Sequence, residues 1–335
     1  MPAIACFGEL LLRLTAPGRE AILQRPHFDV HVGGAEANVA IGLACLGHEA
    51  RMISRVPDNA LGAAAVGHLR RYGVDASAVT SAPGRMGLYF LEAGAGRRAS
   101  RIVYDREGSS FALATRGDFD WDSLLGGVDM LHLSGITPAL GPESAEAAVA
   151  AADAAAARGI MVSFDGNYRA QLWQRWDSDP RAILTRLVER ADILFGNHRD
   201  ISLLLGKDFS GAGEERRREA SLAAFEAFPK LTTIASTARR VTDADTNHIA
   251  ARIDGHDGFA STEEVTVAGI VDRIGAGDAF AVGVLHGLRT GQDLESAVRS
   301  GLAVTCLKHS LPGDAALFSK ADVDSFLAGE LDVRR

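Results

Sequence analysis

The chain has 335 residues, enough to bury a large core as one α/β domain with an appendage or as two domains. Hydrophobic residues make up 47% and charged residues 23%, as in ordinary globular proteins, and a formal net charge of −8 excludes the basic footprint of a nucleic-acid binder. Cys6, Cys45 and Cys306 lack paired spacing, no apolar run approaches the roughly 18 residues of a membrane helix, and the N-terminus shows no basic leader; a reduced, cytoplasmic setting without structural metal is expected.

Residues 3 to 8 read as a short buried strand. From Leu10 to Val32, apolar and polar residues alternate around Pro17, Gly18 and Pro26, which suits short antiparallel strands. Residues 86 to 106 alternate in the same way, with Leu88, Phe90, Ile102 and Tyr104 placed across a glycine turn at Gly94 to Gly96, and are expected to complete one small sheet. Between these pieces, Ala35 to Leu46 and Ala60 to Tyr72 read as alanine-rich helices closed by Gly47 and Gly73. From Val128 onward, strand-like runs at 128–134, 160–165, 191–196 and 231–236 alternate with helical segments, of which Glu143 to Arg158 is the clearest. That rhythm predicts a parallel sheet with helices on both faces and a ligand beyond the carboxyl ends of its strands. With no repeat and no linker, one domain over 1–335 is expected, its lid formed by segments 10–32 and 86–106.

The densest chemistry lies at Asp272-Arg273-Ile274-Gly275-Ala276-Gly277-Asp278, followed at once by a helical run. Glycines let the main chain turn tightly against a ligand, and a helix N-terminus presents unpaired N–H groups, so the pattern can hold a phosphate. Asp278 then suits a general base for an attacking hydroxyl, although an ordinary capping carboxylate explains the residue equally well. Phe280 stands where a dinucleotide fingerprint needs its third glycine, and no Gly-Lys-Ser/Thr occurs, which excludes the two commoner phosphate motifs. Gly33-Gly34 precedes a helix, and Asn38 lies one turn into it with a donor and an acceptor to offer. Arg106 and Arg169 are more cations than a neutral ligand requires and point to an acidic one. His132, on a strand, reads as a satisfied core residue.

The 272–278 stretch resembles the C-terminal signature of the ribokinase-like, PfkB-type carbohydrate kinases, and Gly33-Gly34-Ala35-Glu36-Ala37-Asn38-Val39-Ala40 resembles their N-terminal one. The two lie about 240 residues apart in the right order, and the resemblance covers essentially the whole chain. Within the family, Asp165-Gly166-Asn167-Tyr168-Arg169 resembles the Asp-x-Asn-x-Arg pattern of the 2-keto-3-deoxygluconate kinases, as do Leu133 to Thr137 and Lys308 to Asp314. The resemblance implies a ribokinase-like three-layer α/β/α sandwich with a mostly parallel central sheet and a small β-sheet lid. It implies ATP- and Mg2+-dependent phosphorylation of the 6-hydroxyl of 2-keto-3-deoxygluconate. Asp278 would be the base, with Gly275, Ala276 and Gly277 holding the transferred group. Gly33, Gly34, Asn38, Tyr89, Tyr104, Arg106 and Arg169 would bind the sugar acid, and Trp173 would wall the pocket. Asn197, Ser236, Asp272, Gly275, Gly277 and His309 would serve the nucleotide, Asp272 by supporting the loop or a monovalent cation beside it. Lids of this kind pair edge to edge, so a homodimer is expected.

Two departures from the pattern stand out. Asn197-His198-Arg199-Asp200 replaces the Asn-x-x-Glu of many members, so Asp200 is one methylene short and would reach Mg2+ through water. The usual Lys-x-Gly-x-x-Gly is absent from Ile234 to Arg240, leaving Ser236 and Arg240 to reach phosphate oxygens. The polar segment 239–262 is expected as a loop or hairpin near the nucleotide. A kinase of a neutral sugar, such as fructose or ribose, is the alternative within the same chemistry; a catalytically silent sugar-acid sensor is the alternative outside it.

Overall fold

A computed structural model describes residues 3–330. The first third of the chain gives β1 (Ala3–Phe7), β2 (Leu11–Thr15), β3 (Asp29–Gly33), α1 (Ala35–Cys45), β4 (Ala50–Pro57), α2 (Ala60–Arg71), β5 (Val79–Ala82), β6 (Gly87–Glu92), β7 (Arg101–Asp105) and the single turn α3 (Trp121–Leu124). The alternating part follows as β8 (Val128–Ser134), α4 (Pro142–Ala157), β9 (Met161–Asp165), α5 (Ala170–Trp173), α6 (Pro180–Val188), β10 (Ile193–Phe195), α7 (His198–Leu205), α8 (Gly213–Ala227) and β11 (Thr233–Val241). The chain closes with β12 (Thr246–Asp254), β13 (Phe259–Ser261), β14 (Val265–Ala268), α9 (Ala276–Arg289), α10 (Leu294–Lys308) and α11 (Lys320–Ala328).

The large sheet runs in the order β13-β12-β11-β10-β9-β8-β1-β4-β5, with β14 also on β12. From β5 to β11 every neighbouring pair is parallel, as buried apolar strands joined by helical crossovers require. One face carries a core in which α1, α9 and α10 supply Ile41, Val282 and Val304; the other carries Ala148, Leu187 and Ala224 of α4, α6 and α8. Alanines 145, 147, 148, 151, 152 and 155 of α4 are buried, and their small side chains let the helix lie close on the strands. The layered α/β/α order and mostly parallel sheet are those expected from the sequence. Among the described residues no helix is long and apolar enough to cross a membrane.

The small sheet has the order β3-β2-β6-β7. Its two halves are antiparallel pairs, but β2 and β6 join in parallel, with Leu11 opposite Gly87 and Arg13 opposite Tyr89. The antiparallel expectation therefore holds within each half and fails at the seam. Both halves leave the body of the protein at the same end, so their first strands run side by side. Segment 239–262 contains the end of β11, all of β12 and then β13, so it is a long hairpin rather than a loop.

Candidate active site

A cleft of about 830 Å3 opens between the carboxyl ends of β9, β10 and β11, the N-termini of α1 and α9, and the inner face of the small sheet. Gly34, Asn38, Tyr89, Tyr104, Arg106 and Arg169 line one end. Asn197, Asp200, Ser236, Arg239 and Arg273 line the other, and Gly275 to Asp278 lie between them. A side chamber of about 230 Å3 continues past Asn197 and Ser236 toward His198, Arg217 and Arg252.

The turn into α9 depends on Gly275. It is the N-cap residue, with φ of 78°, and a Cβ there would overlap the carbonyl oxygen of Asp314. No side chain caps the helix. Asp278, in the first turn, instead accepts a hydrogen bond of 2.6 Å from Asn38 Nδ2, so it is not an ordinary cap. Asn38 is buried and its Oδ1 has no partner among the described residues. Gly34, with φ of 139°, turns the chain into α1, and a Cβ would strike the Glu9 carbonyl.

Burial pushes the Asp278 carboxyl up to about 8, helped by the neighbouring charges of Asp165, Asp314 and Glu36 and opposed by the Asn38 hydrogen bond. Asp165, at the end of β9, is pushed up to about 7, first by burial, with Arg169 opposing and Asp200 adding to the rise. Its Oδ1 accepts the Asn167 N–H at 3.0 Å, and Asn167 takes a φ of 36°, an Asx turn that aims the next residues into the cleft. Asp200 Oδ2 accepts the Asn197 N–H at 2.8 Å, closing the capping box of α7 while facing the cleft. Burial raises its pKa as well.

Beneath this floor lies a charged brace. Arg13, almost fully buried on β2, donates to Asp272 Oδ2 at 2.6 Å and pairs with Asp314 at 2.8 Å. Tyr89 donates its hydroxyl to Asp314 at 2.6 Å, and Asp272 also accepts the N–H groups of Ile274 and Gly313 at 2.9 and 3.1 Å.

Several expected ligand contacts fall elsewhere. Asp272 does not line the cleft, because both of its oxygens are turned into the brace. His309 is buried, with Nδ1 held 2.8 Å from the Thr305 carbonyl, and contributes no surface to the cleft. Gly33 also stays off the cleft wall; a side chain there would collide with the Asp314 carboxylate. Arg106 does line the cleft, but its Nε donates to Glu9 at 2.6 Å and Ser109 hydrogen-bonds the other Glu9 oxygen. Its charge is already answered, which leaves Arg169 as the open cation at that end: among the described residues it forms no ion pair and donates only to its neighbour's carbonyl. Trp173 stacks behind Tyr168, which takes the wall position. Arg240 turns out to Glu264 at 2.6 Å, and Arg239, one residue earlier on β11, faces the cleft. His132 is buried as expected, 2.9 Å from Ser163 Oγ, and desolvation lowers it to about 3.

Asp165, Arg239 and Arg273 were not among the expected site residues. Asp165 was recoverable as the carboxylate ending a buried strand; the facing of Arg239 follows from the continuation of β11, which the polar sequence did not signal.

Residues 1–320 match the pfkB family of carbohydrate kinases. The chain belongs to that family. The 2-dehydro-3-deoxygalactonokinase of Haloferax volcanii is 30% identical over 326 residues, covering 97% of this chain and 96% of that one. The crystal structure of a 2-dehydro-3-deoxygluconokinase from Thermotoga maritima superposes with a TM-score of 0.93 at 36% identity, covering 98% of this chain and 100% of that one. A fructokinase with bound ATP from Xylella fastidiosa, at 21% identity and a TM-score of 0.79 over 98% of both chains, shares the fold. The protein is a ribokinase-like carbohydrate kinase, a phosphotransferase with an alcohol group as acceptor.

Proposed function

We propose that this kinase transfers a phosphoryl group from ATP to the 6-hydroxyl of 2-keto-3-deoxygluconate, with its galactonate epimer as the competing acceptor. The observation that carries the reading is Asp278, buried in the first turn of α9 and hydrogen-bonded by Asn38 rather than serving as a cap. Asn38 has a free acceptor, Oδ1, for an acceptor hydroxyl. Asp278 takes the hydroxyl proton onto its carboxylate, and the first-turn N–H groups around Gly275, Ala276 and Gly277 receive the charge that develops on the transferred group. Arg239 and Arg273 neutralise the polyphosphate from the cleft wall. Arg169 offers a planar fork to the sugar-acid carboxylate, while Tyr104 and the ring of Tyr89 exclude water.

Asp165 and Asp200 are two adjacent carboxyl groups whose burial disfavours charge, and a divalent cation would relieve that cost. They are the residues that would hold Mg2+, which supplies charge neutralisation at phosphate oxygens. Among the described residues no group of three or more His, Cys, Asp or Glu is clustered for a metal, so this site would be completed by the nucleotide and water. A need for ATP supports a cytoplasmic setting. Val30 on β3 and Val103 on β7 leave apolar surface on the small sheet, with Leu23 exposed in the connection between β2 and β3, which supports a homodimer formed through the lid.

The neutralisation of Arg106 by Glu9 favours one competing reading, a neutral-sugar kinase, because among the described residues only one open cation faces the substrate end. ADP release with ATP, Mg2+ and a panel of both keto-deoxy acids, fructose and ribose decides between them. Turnover confined to the keto-deoxy acids and lost in Asp278→Asn supports the proposal. Turnover on a neutral sugar alone removes the substrate assignment, and binding of sugar acid without turnover would mark a sensor.

A further inference from the structure

The family resemblance left two uses for Asp272, support of its own loop or a seat for a monovalent cation. The surroundings of Asp272 answer that question with two residues of the chain. Lys308, at the end of α10, is fully buried, and its Nζ donates to the carbonyl oxygens of Asp272 and Leu311 at 3.3 and 3.1 Å. Carbonyl oxygens converging from two loops on one point are the ligand set of an alkali cation, and here an ammonium group occupies that point. Arg13 reaches the same residue from the lid side, 2.6 Å from Asp272 Oδ2, and spans to Asp314.

The charges close. Arg13 and Lys308 bring two positive groups, and Asp272 and Asp314 bring two carboxylates, all four packed out of solvent apart from a small exposed fraction of Asp272. A further cation in this volume would be an unbalanced buried charge, which is costly. Both oxygens of Asp272 are also spent, on Ile274 N–H on one side and on Arg13 and Gly313 N–H on the other. The residues present therefore do not fit an exchangeable ion.

We propose that Lys308 and Arg13 are this kinase's built-in monovalent cations: they hold Asp272 and the 272–277 turn in place of K+ or Na+, and the enzyme works without either. Both are positioning residues, acting on the turn into α9 through Asp272 and Asp314. Lys308 ties that turn to the loop after α10, and Arg13 ties it to the lid. The effect on turnover rests on the reading of Gly275 to Asp278 as the phosphoryl-transfer turn; the indifference to added ions does not.

The test compares wild type and Lys308→Met in potassium, sodium, ammonium and tetramethylammonium chloride at constant ionic strength, reading melting temperature and ADP release. Wild type is expected to give the same melting temperature and rate in all four salts. Lys308→Met keeps the apolar stem and removes the ammonium, so its turnover is expected to fall on the order of 100-fold, as for a displaced catalytic turn. Potassium or ammonium, but not tetramethylammonium, should restore much of that loss saturably and raise the variant's melting temperature. A saturable response of wild type to potassium or sodium overturns the proposal. So does a Lys308→Met protein that is fully active and ion-independent. Where the variant fails to fold in every salt, the wild-type titration alone decides. Should no sugar be turned over, the melting curves still test ion binding, which separates failure of this idea from failure of the assigned reaction.

Discussion

Asn38 Nδ2 lies 2.6 Å from Asp278 Oδ2, joining the first helix of the chain to the first turn of the ninth across the floor of the cleft. The contact brings the two sequence signatures, far apart along the chain, into one hydrogen bond. It also fixes which carboxylate oxygen stays open toward an acceptor hydroxyl.

Replacing Asp278 by Asn removes the base with little change in shape. Turnover should fall by about 10^2–10^4-fold, the usual worth of a positioned general base, while KM values change little. Steady-state ADP release on the accepted sugar acid measures both.

The same substitution should stabilise the protein at high pH. The Asp278 carboxyl is raised to about 8 in the fold, so the native state holds a proton that the unfolded chain releases near pH 4. Its contribution is present at low pH and is lost as pH climbs from about 4 through 8. Urea unfolding should find Asp278→Asn more stable than wild type by about 1–2 kcal/mol at pH 8.5 and equal to it near pH 4.

For the same reason kcat/KM for the sugar should climb with pH through about 8, since that ratio reports the free enzyme's essential base. A profile flat between pH 6 and about 9 would remove Asp278 from that role.

Arg169 and Arg106 should part company under substitution. Arg169→Ala is expected to raise the KM for the sugar acid by about 10–100-fold with a small effect on kcat, as loss of a charge-assisted fork does. Arg106→Met strands the buried Glu9 carboxylate and should cost about 3–5 kcal/mol of stability, read by thermal or urea unfolding.

Neighbouring arginines on β11 give a paired control. Arg239→Ala should raise the KM for ATP by about tenfold and leave the sugar KM unchanged, whereas Arg240→Ala, which loses only a surface ion pair with Glu264, should change neither.

What the sequence determined by itself was the layered architecture and the location of the chemistry. Strand and helix periodicities are local properties, and the two glycine-bearing signatures report backbone turns that few other residues tolerate, as the φ of 78° at Gly275 illustrates. Asp278 and Asn38 were legible for that reason. The tertiary structure decided which charges are spent. Arg106 read as a free cation until Glu9 proved to be its partner, and Asp272, read as support for its loop or for a monovalent cation, has an oxygen taken by Arg13. Arg239 rather than Arg240 faces the cleft because β11 continues as a strand through a stretch too polar to announce one. An ion pair is a relation between residues distant in the chain, and a buried charge is neutralised by whatever the fold packs beside it; neither is encoded in the spacing of one motif.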